Sequence, residues 1–437
     1  MGQLLGEIQR RKILKKSNYI ISTEIDNCVL YYNLVHDTLL SLPATMNEEC
    51  VACLENPNDR DSIYWQKLYK DKFIIEDDYD ELIEMQRRHW RTVSQSDEYN
   101  LTVICTLKCN SDCTYCYQRN LDFKYIEMTQ TDLIGLYEFL LSIPKKMINI
   151  NWCGGEPMLM RKQILKFCKM LDSDKNHFYS HSISTNASIF DERFFEDMEN
   201  YGLFNVNASV IGTGAIHSEL RRSDEYDADI VFRNLIRIAR YTTVVVDINL
   251  CKSNIDHVKE IFEYFDGYQY LPIRFRFTRI VSYDHNPCNN IELDVDTYMK
   301  HVIELSNWAL DQGFHLCDMS CFQNFGVYCG AYEVHHNVIG PGLYVYQCNR
   351  TYNPDKATAQ IVEGKLVHNP KLSGCEGLKS GIDPYAVEAC KNCKILPYCN
   401  GGCNHMRKIG KSACPDEKNY LEDYLKLYYR IFYTQQQ

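Results

Sequence analysis

The sequence predicts an α/β protein centred on a partial (β/α)6, TIM-like barrel, with a small amino-terminal α+β domain before it and a cysteine-rich domain after it. Three observations carry that expectation. The chain has 437 residues, more than one hydrophobic core usually spans. Strand and helix patterns alternate six times between residues 99 and 312, as in a parallel sheet covered by helices. The cysteines crowd into two stretches instead of spreading evenly. The expected domains are 1–97, 98–312 and 313–415, with a closing helix over 416–437.

In the first domain, "NYIISTEIDNCVLYYNLVHDTLLSLP" reads as a hairpin followed by a helix, and "EDDYDELIEMQRRHWRTV" as a second helix. No mark of a peptide-binding winged helix is evident there. Cys50 and Cys53 have no second pair nearby to complete a metal site. The barrel strands are expected at Leu101 to Cys105, Ile148 to Trp152, His181 to Thr185, Phe204 to Val210, Thr243 to Leu250 and Ile273 to Arg279. Helical patterns follow at Thr131 to Leu141, Met158 to Leu171, Asp191 to Tyr201, Ala228 to Ala239, Ile255 to Phe265 and Asp296 to Asp311. Caps are expected at Thr129 or Thr131, and at Ser253 or Asn254. The tail "DEKNYLEDYLKLYYRIFY" has the pattern of an amphipathic helix packed on the body.

Composition narrows the function. A net charge of -11 argues against nucleic acid as the main partner, since phosphate binding needs a basic surface. No apolar run has the length of a signal-peptide core or a membrane span, so a cytoplasmic protein without membrane attachment is expected. In a reducing compartment, 21 cysteines are better explained by metal than by disulfides.

Cys109, Cys113 and Cys116 supply three thiolates, one fewer than a closed four-ligand site requires. A four-iron cluster on three cysteines keeps one iron open to another ligand. Gly154 and Gly155 allow backbone close to a ligand, and the Glu156 carboxylate can accept from an ammonium group. Together the Cys-x3-Cys-x2-Cys loop and the Gly-Gly-Glu-Pro stretch one strand later resemble the radical S-adenosylmethionine (SAM) enzymes. That resemblance implies that SAM chelates the open iron and that Glu156 receives its amino group. Ser184, Thr185 and Asn186 resemble the family's ribose-contacting stretch, and Tyr115 its position beside the adenine. Ser209, Gly212, His217 and Arg221 resemble a further segment, although Ile211 replaces its aspartate; Arg221 or Arg222 would hold the SAM carboxylate. Core packing or helix capping competes for Tyr115, Ser184 and His217.

Cys390, Cys393, Cys399 and Cys403, with Cys329, Cys348 and Cys414, resemble the SPASM extension, which carries two auxiliary four-iron clusters. Five residues separate Gly342 from Cys348, where the family leaves four. The resemblance implies Cys329, Cys348 and Cys403 for one cluster and Cys390, Cys393, Cys399 and Cys414 for the other. Cys321 is the expected fourth ligand of the first, with Cys317, Cys375 or an open iron as alternatives. Zinc, which Cys-x2-Cys pairs also bind, is the competing metal.

The implied protein is a three-cluster enzyme that takes an electron from a flavodoxin or ferredoxin and cleaves SAM. It then oxidatively modifies a ribosomally made precursor peptide with a thioether or carbon-carbon crosslink. The alternatives are a sulfatase-maturase-like protein oxidase, and a non-catalytic iron-sulfur or zinc interaction protein. Sulfatase maturases carry an aspartate after the thiol matching Cys348, whereas Asn349 stands here and cannot act as a carboxylate base. Asp318, Arg274, Arg276 and Arg279 are candidate pocket groups or structural ion-pair members. No catalytic base is identified.

Overall fold

The computed structural model describes residues 13–118, 125–282, 288, 290–317, 329–350, 354–369, 383–408 and 410–434. In the amino-terminal unit, β1 (Leu14–Lys16) pairs antiparallel with β5 (Ile74–Glu76). β2 (Ile20–Ile25), β3 (Cys28–Asn33) and β4 (Thr38–Pro43) form an antiparallel sheet. The expected helix after the hairpin is therefore the strand β4. Leu40 and Leu42 alternate at period two and join one core with Cys50, Cys53 and Leu68. Burying two leucines is worth about 2 kcal/mol each, which outweighs helix-propensity differences of a few tenths of a kcal/mol per residue. α1 (Asn47–Glu55) and α2 (Trp65–Lys70) supply those core partners, and α3 (Glu81–Gln95) follows, capped by Asp80 accepting from Ile83 N.

The barrel strands are β6 (Glu98–Thr106), β7 (Met147–Gly154), β8 (Phe178–Thr185), β9 (Leu203–Val210), β10 (Thr243–Leu250) and β11 (Ile273–Arg279), each parallel to the next. The last two have the expected bounds, and the others extend past theirs. Helices α4 (Gln130–Leu141), α5 (Arg161–Leu171), α6 (Glu192–Asn200), α7 (Gly214–Arg221), α8 (Ala228–Ile238), α9 (Lys259–Glu263) and α10 (Val295–Asp311) intervene. α7 was not among the six expected helices. Thr129 caps α4 through a reciprocal capping box with Asp132. Asn254 stands at the N-cap position before Ile255 but makes no side-chain cap bond: its Oδ1 accepts from Cys251 N, and its Nδ2 donates to the carbonyls of Ile211 and Asn249, tying β9 to β10.

The sheet does not stop at six strands. β12 (His315–Leu316) adds in parallel beside β11. At the opposite edge β13 (His336–Ile339) lies parallel to β6, followed by antiparallel β14 (Tyr344–Tyr346), β15 (Ala359–Val362) and β16 (Lys365–His368). The carboxyl-terminal part thus continues the barrel sheet, which reaches eleven strands. Its short helices are α11 (Glu388–Lys391), α12 (Leu396–Cys399) and α13 (Asn404–Lys408). The closing helix α14 (Leu421–Tyr429) packs on the body, with Leu425 and Leu427 buried and Tyr428 edge-on to Tyr32. Among the described residues no helix is long and apolar enough to cross a membrane.

Along each strand one face is apolar beneath the helices, as with Val244, Val246, Ile248 and Leu250 on β10. Parallel strands buried on both faces usually read as continuous apolar runs. Here the opposite face is polar: Asp247 and Asn249 alternate with those residues, and β7, β8 and β9 show the same alternation in "NIN", "SIS" and "NVNAS". The barrel interior is therefore a polar space.

Candidate functional site

The loop carrying Cys109, Cys113 and Cys116 leaves the carboxyl end of β6, the end at which α/β barrels hold their ligands. Three neighbouring segments fix it. From the end of β7, Gly155 N donates to Thr106 O and Glu156 N to Lys108 O, both at 2.8 Å. A Cβ on Gly154 would stand 1.9 Å from Thr106 O, and one on Gly155 2.2 Å from Lys108 O. The two glycines are therefore required for the loop to lie against this strand end. From the end of β8, Asn186 Nδ2 donates to Asn110 Oδ1 at 2.9 Å and to Ser111 Oγ at 3.3 Å, and lies 3.9 Å from Cys109 Sγ. From the end of α7, Arg222 O and Leu220 O accept from Asp112 N and Thr114 N, and Ser223 Oγ donates to Asn110 O.

Glu156 ties two strand ends together. It is fully buried, with Oε1 accepting from Met158 N and Thr185 Oγ1 and Oε2 from Asn186 N. Burial raises its pKa, while the three donors oppose the rise. The carboxylate fastens the end of β7 to the end of β8. Ser184 donates to Asn151 Oδ1 at 3.1 Å on the polar inner face. Thr185 is committed to Glu156, and Asn186 is the member of the trio that reaches the cysteine loop.

Arg221 is 1 % exposed, while Arg222 is exposed with a left-handed backbone (φ 52°). The structure therefore selects Arg221 as the inward cation. Its Nη2 donates to Ser209 O and to Ser209 Oγ, and its charge acts on Tyr115, Cys113 and Tyr226. Among the described residues, Arg221 Nε, Tyr115 Oη and His217 Nε2 are buried without a hydrogen-bond partner. Burial pushes His217 down to about 4, so its ring is neutral at neutral pH; the ring meets Tyr226 edge-on. Three unpaired polar atoms beside one thiol loop fit a polar, anionic ligand at this place. Tyr226, whose hydroxyl meets Ser111 Oγ, belongs to this group and carried no sequence motif.

The second constellation separates into two groups. The thiols whose charge acts on Cys329 are Cys348 and Cys403; those acting on Cys399 are Cys393, Cys414 and Cys390. Burial pushes Cys399 up to about 12. Between Cys399 and Cys403 the backbone is left-handed at Asn400, Gly401 and Gly402, and a Cβ on Gly402 would stand 1.8 Å from Ala413 O. This reversal sends the two cysteines to different groups. Tyr332 stands between them, donating to Gly402 O at 3.0 Å and feeling Cys329, Cys403 and Cys399. Cys317 N donates to Phe275 O, and the charge of its thiol acts on Arg276 in the barrel. Cys321, Cys375 and Asp318 lie outside the described residues.

Among the described residues no three Cys, His, Asp or Glu side chains converge closely enough to hold a single metal ion. A tetrahedral zinc with Zn–S near 2.3 Å needs sulfurs about 4 Å apart.

Two of the candidate arginines are tied to named partners. Arg279 makes a bidentate pair with Asp416, 2.8 and 2.9 Å, and also reaches Glu292. It fastens the end of β11 to the segment just after Cys414. Arg276 grips Asp247 on the polar inner face through Nε and Nη2, 2.5 and 3.0 Å. Neither pair is visible in sequence, because the partners stand 137 and 29 residues away.

The family model of the Radical SAM superfamily matches residues 103–265. An uncharacterized protein of Methanocaldococcus jannaschii is 28 % identical over 116 residues, 26 % of this chain and 38 % of that protein, so the match spans well under half of the relative. Among solved structures, anSMEcpe with bound AdoMet is 20 % identical with a TM-score of 0.59, covering 77 % of this chain and 97 % of that one. SuiB of Streptococcus suis bound to precursor peptide SuiA is 14 % identical with a TM-score of 0.54, covering 92 % of this chain and 98 % of that one. At these identities the structural likeness shows a shared fold. The three-thiol loop, the glycine pair and Arg221 all fall inside the stretch that matches the radical SAM family model, and the cysteine-rich part beyond it continues the same barrel sheet.

Proposed function

We propose that the protein cleaves S-adenosylmethionine reductively and oxidatively modifies a ribosomally made peptide, joining two side chains through a thioether or a carbon-carbon bond. The single observation that carries the site is Arg221: a buried cation beside Cys113, in contact with no carboxylate among the described residues, next to two further unpaired polar atoms. Glu156 acts on it through space without pairing with it and Tyr226 bonds it, which leaves room beside the guanidinium for an anion. The SAM carboxylate supplies one.

Cys109, Cys113 and Cys116 would hold the radical-generating cluster. Cys329, Cys348 and Cys403, with a fourth ligand such as Cys321 or an open iron, would hold one auxiliary cluster, and Cys390, Cys393, Cys399 and Cys414 the other. Bound together, a four-iron cluster and SAM supply a radical that removes hydrogen from an unactivated carbon. The chain's own residues do the rest. Gly154 and Gly155 let the cysteine loop lie against β7, Glu156 and Asn186 lock it to β8, and Tyr115 and Arg221 line the ligand space. Asn151, Ser184, Asn207, Asn249 and the Asp247–Arg276 pair present amide, hydroxyl and charged groups suited to a peptide backbone. The protein orients the peptide and excludes water.

Two features favour a precursor-peptide enzyme over a sulfatase-maturase-like oxidase. Asn349 replaces the aspartate, its Oδ1 lying 3.9 Å from Cys348 Sγ. The likeness to SuiB, solved with a precursor peptide, also covers more of this chain than the likeness to anSMEcpe, solved with AdoMet and with a Cp18Cys peptide. A flavodoxin or ferredoxin would deliver the electron.

Anaerobic reconstitution followed by dithionite and SAM tests this reading. About twelve irons per chain are expected from three four-iron clusters, together with 5'-deoxyadenosine that disappears in Cys113→Ala. Zinc in place of iron, or no 5'-deoxyadenosine above background, would overturn it. Mass loss of two hydrogens per bond in a peptide encoded beside this gene is the expected substrate result.

A further inference from the structure

The thiols of the second auxiliary group are contacted by two cations. Arg407 Nη2 lies 3.9 Å from Cys390 Sγ, and Lys418 Nζ lies 3.8 Å from Cys414 Sγ. They arrive from different elements. Arg407 stands on α13, where the same Nη2 is anchored to Gly401 O at 2.7 Å, at the backbone reversal that parts Cys399 from Cys403. Lys418 stands on the short turn Asp416–Asn419, which the Arg279–Asp416 pair holds against β11. Cys414 and Lys418 are both exposed, whereas Cys399 is buried, so this group sits at the protein edge with a cation on two of its four sulfurs.

We propose that Arg407 and Lys418 are potential-setting residues that raise the reduction potential of the cluster held by Cys390, Cys393, Cys399 and Cys414. The inference rests on the cluster reading given above. Reduction adds one electron to a centre that four thiolates already make anionic, and no bond forms or breaks. A cation near a ligating sulfur therefore stabilises the reduced form more than the oxidised form, and an N–H group directed at sulfur acts in the same sense. For the first group, the uncharged side-chain oxygen of Asn349 lies 3.9 Å from Cys348 Sγ.

The test is a potentiometric titration followed by electron paramagnetic resonance on the full-length reconstituted chain, in a Cys113→Ala background that silences the SAM-site cluster. Lys418→Met and Arg407→Gln are each expected to lower the reduced-to-oxidised ratio of one auxiliary signal about tenfold at fixed potential, about 59 mV for a one-electron couple. The other auxiliary signal should not move, and Arg407→Lys should recover most of the loss. Unchanged midpoints in Lys418→Met with full iron content would overturn the proposal. That variant decides even if Arg407→Gln loses iron with its Gly401 bond, because Lys418 is an exposed side chain. A chain that takes up no auxiliary iron would overturn the cluster reading itself, and this inference with it.

Discussion

The guanidinium carbon of Arg350 lies 4.1 Å from the centroid of the Tyr117 ring. Tyr117 follows Cys116 directly, and Arg350 stands two residues after Cys348, so one stacked pair joins the three-thiol loop to the segment of Cys348. Such contacts contribute about 0.5 to 2 kcal/mol, depending on desolvation. Tyr117→Leu and Arg350→Ala should each destabilise the reconstituted protein by about 1 kcal/mol in urea denaturation, and the double variant should lose little more than either. Tyr117→Phe, which keeps the aromatic face, should lose less than half as much. Strict additivity of the two single losses would show that the stack carries no coupling.

Arg221 and Arg222 are adjacent in sequence and opposite in burial, which makes them a matched comparison. A charge-assisted hydrogen bond contributes about 1.5 to 3 kcal/mol, so Arg221→Gln should weaken SAM binding roughly 10- to 100-fold. Arg222→Gln should change it less than about twofold, well inside 1.4 kcal/mol per decade. Equilibrium dialysis of SAM against the reconstituted variants measures both.

Gly154 and Gly155 each face a backbone carbonyl closer than any Cβ contact allows, 1.9 and 2.2 Å. Gly154→Ala or Gly155→Ala must displace the loop that begins at Thr106, at a cost of about 2 kcal/mol or more. The expected result is loss of SAM-site iron with auxiliary iron retained, read by iron analysis and spectroscopy. Full iron and full SAM cleavage in both variants would contradict the assigned close approach.

His181 lies 1 % exposed between Trp152 and Cys168, accepting at Nδ1 from Trp152 Nε1 at 3.2 Å. Burial depresses it to about 4, below the ordinary value of 6.5, so the unfolded chain takes the proton first. Its contribution is fully present above pH 6.5 and is lost as pH falls toward 4. The loss approaches about 1.4 kcal/mol per pH unit inside that window. Denaturation midpoints at pH 7, 6 and 5 should fall for the wild type. The slope of stability against pH should be smaller in His181→Gln, even though that variant is less stable throughout.

The Asp247–Arg276 pair is a charged feature of the polar barrel interior. Removing one partner frees the other to face the peptide wrongly. Asp247→Asn should cut modified peptide per 5'-deoxyadenosine about tenfold, about 1.4 kcal/mol, while SAM cleavage without peptide continues. Equal losses of both products would place the pair in cofactor binding instead.

The sequence by itself determined the order of strands and helices and the segments that hold thiols, because both are written in local periodicity and spacing. Thr243–Leu250 and Ile273–Arg279 are strands at their expected bounds, and the loop with Cys109, Cys113 and Cys116 follows the first barrel strand. The polar interior was also legible, in the strict alternation of "SIS" and "NVNAS", but the pattern gains meaning only once the strands are known to be parallel. Tertiary structure alone decided the rest. Glu156 became a tie between strand ends because Thr185 and Asn186 arrive from 29 and 30 residues away, and no local rule anticipates that meeting. β4 became a strand because burying Leu40 and Leu42 outweighs weak local preference. β13 joined β6, and Arg279 found Asp416, through contacts made only after the chain had closed on itself. Local chemistry is encoded in neighbours along the chain, whereas burial, pairing and unpaired charge are properties of neighbours in space.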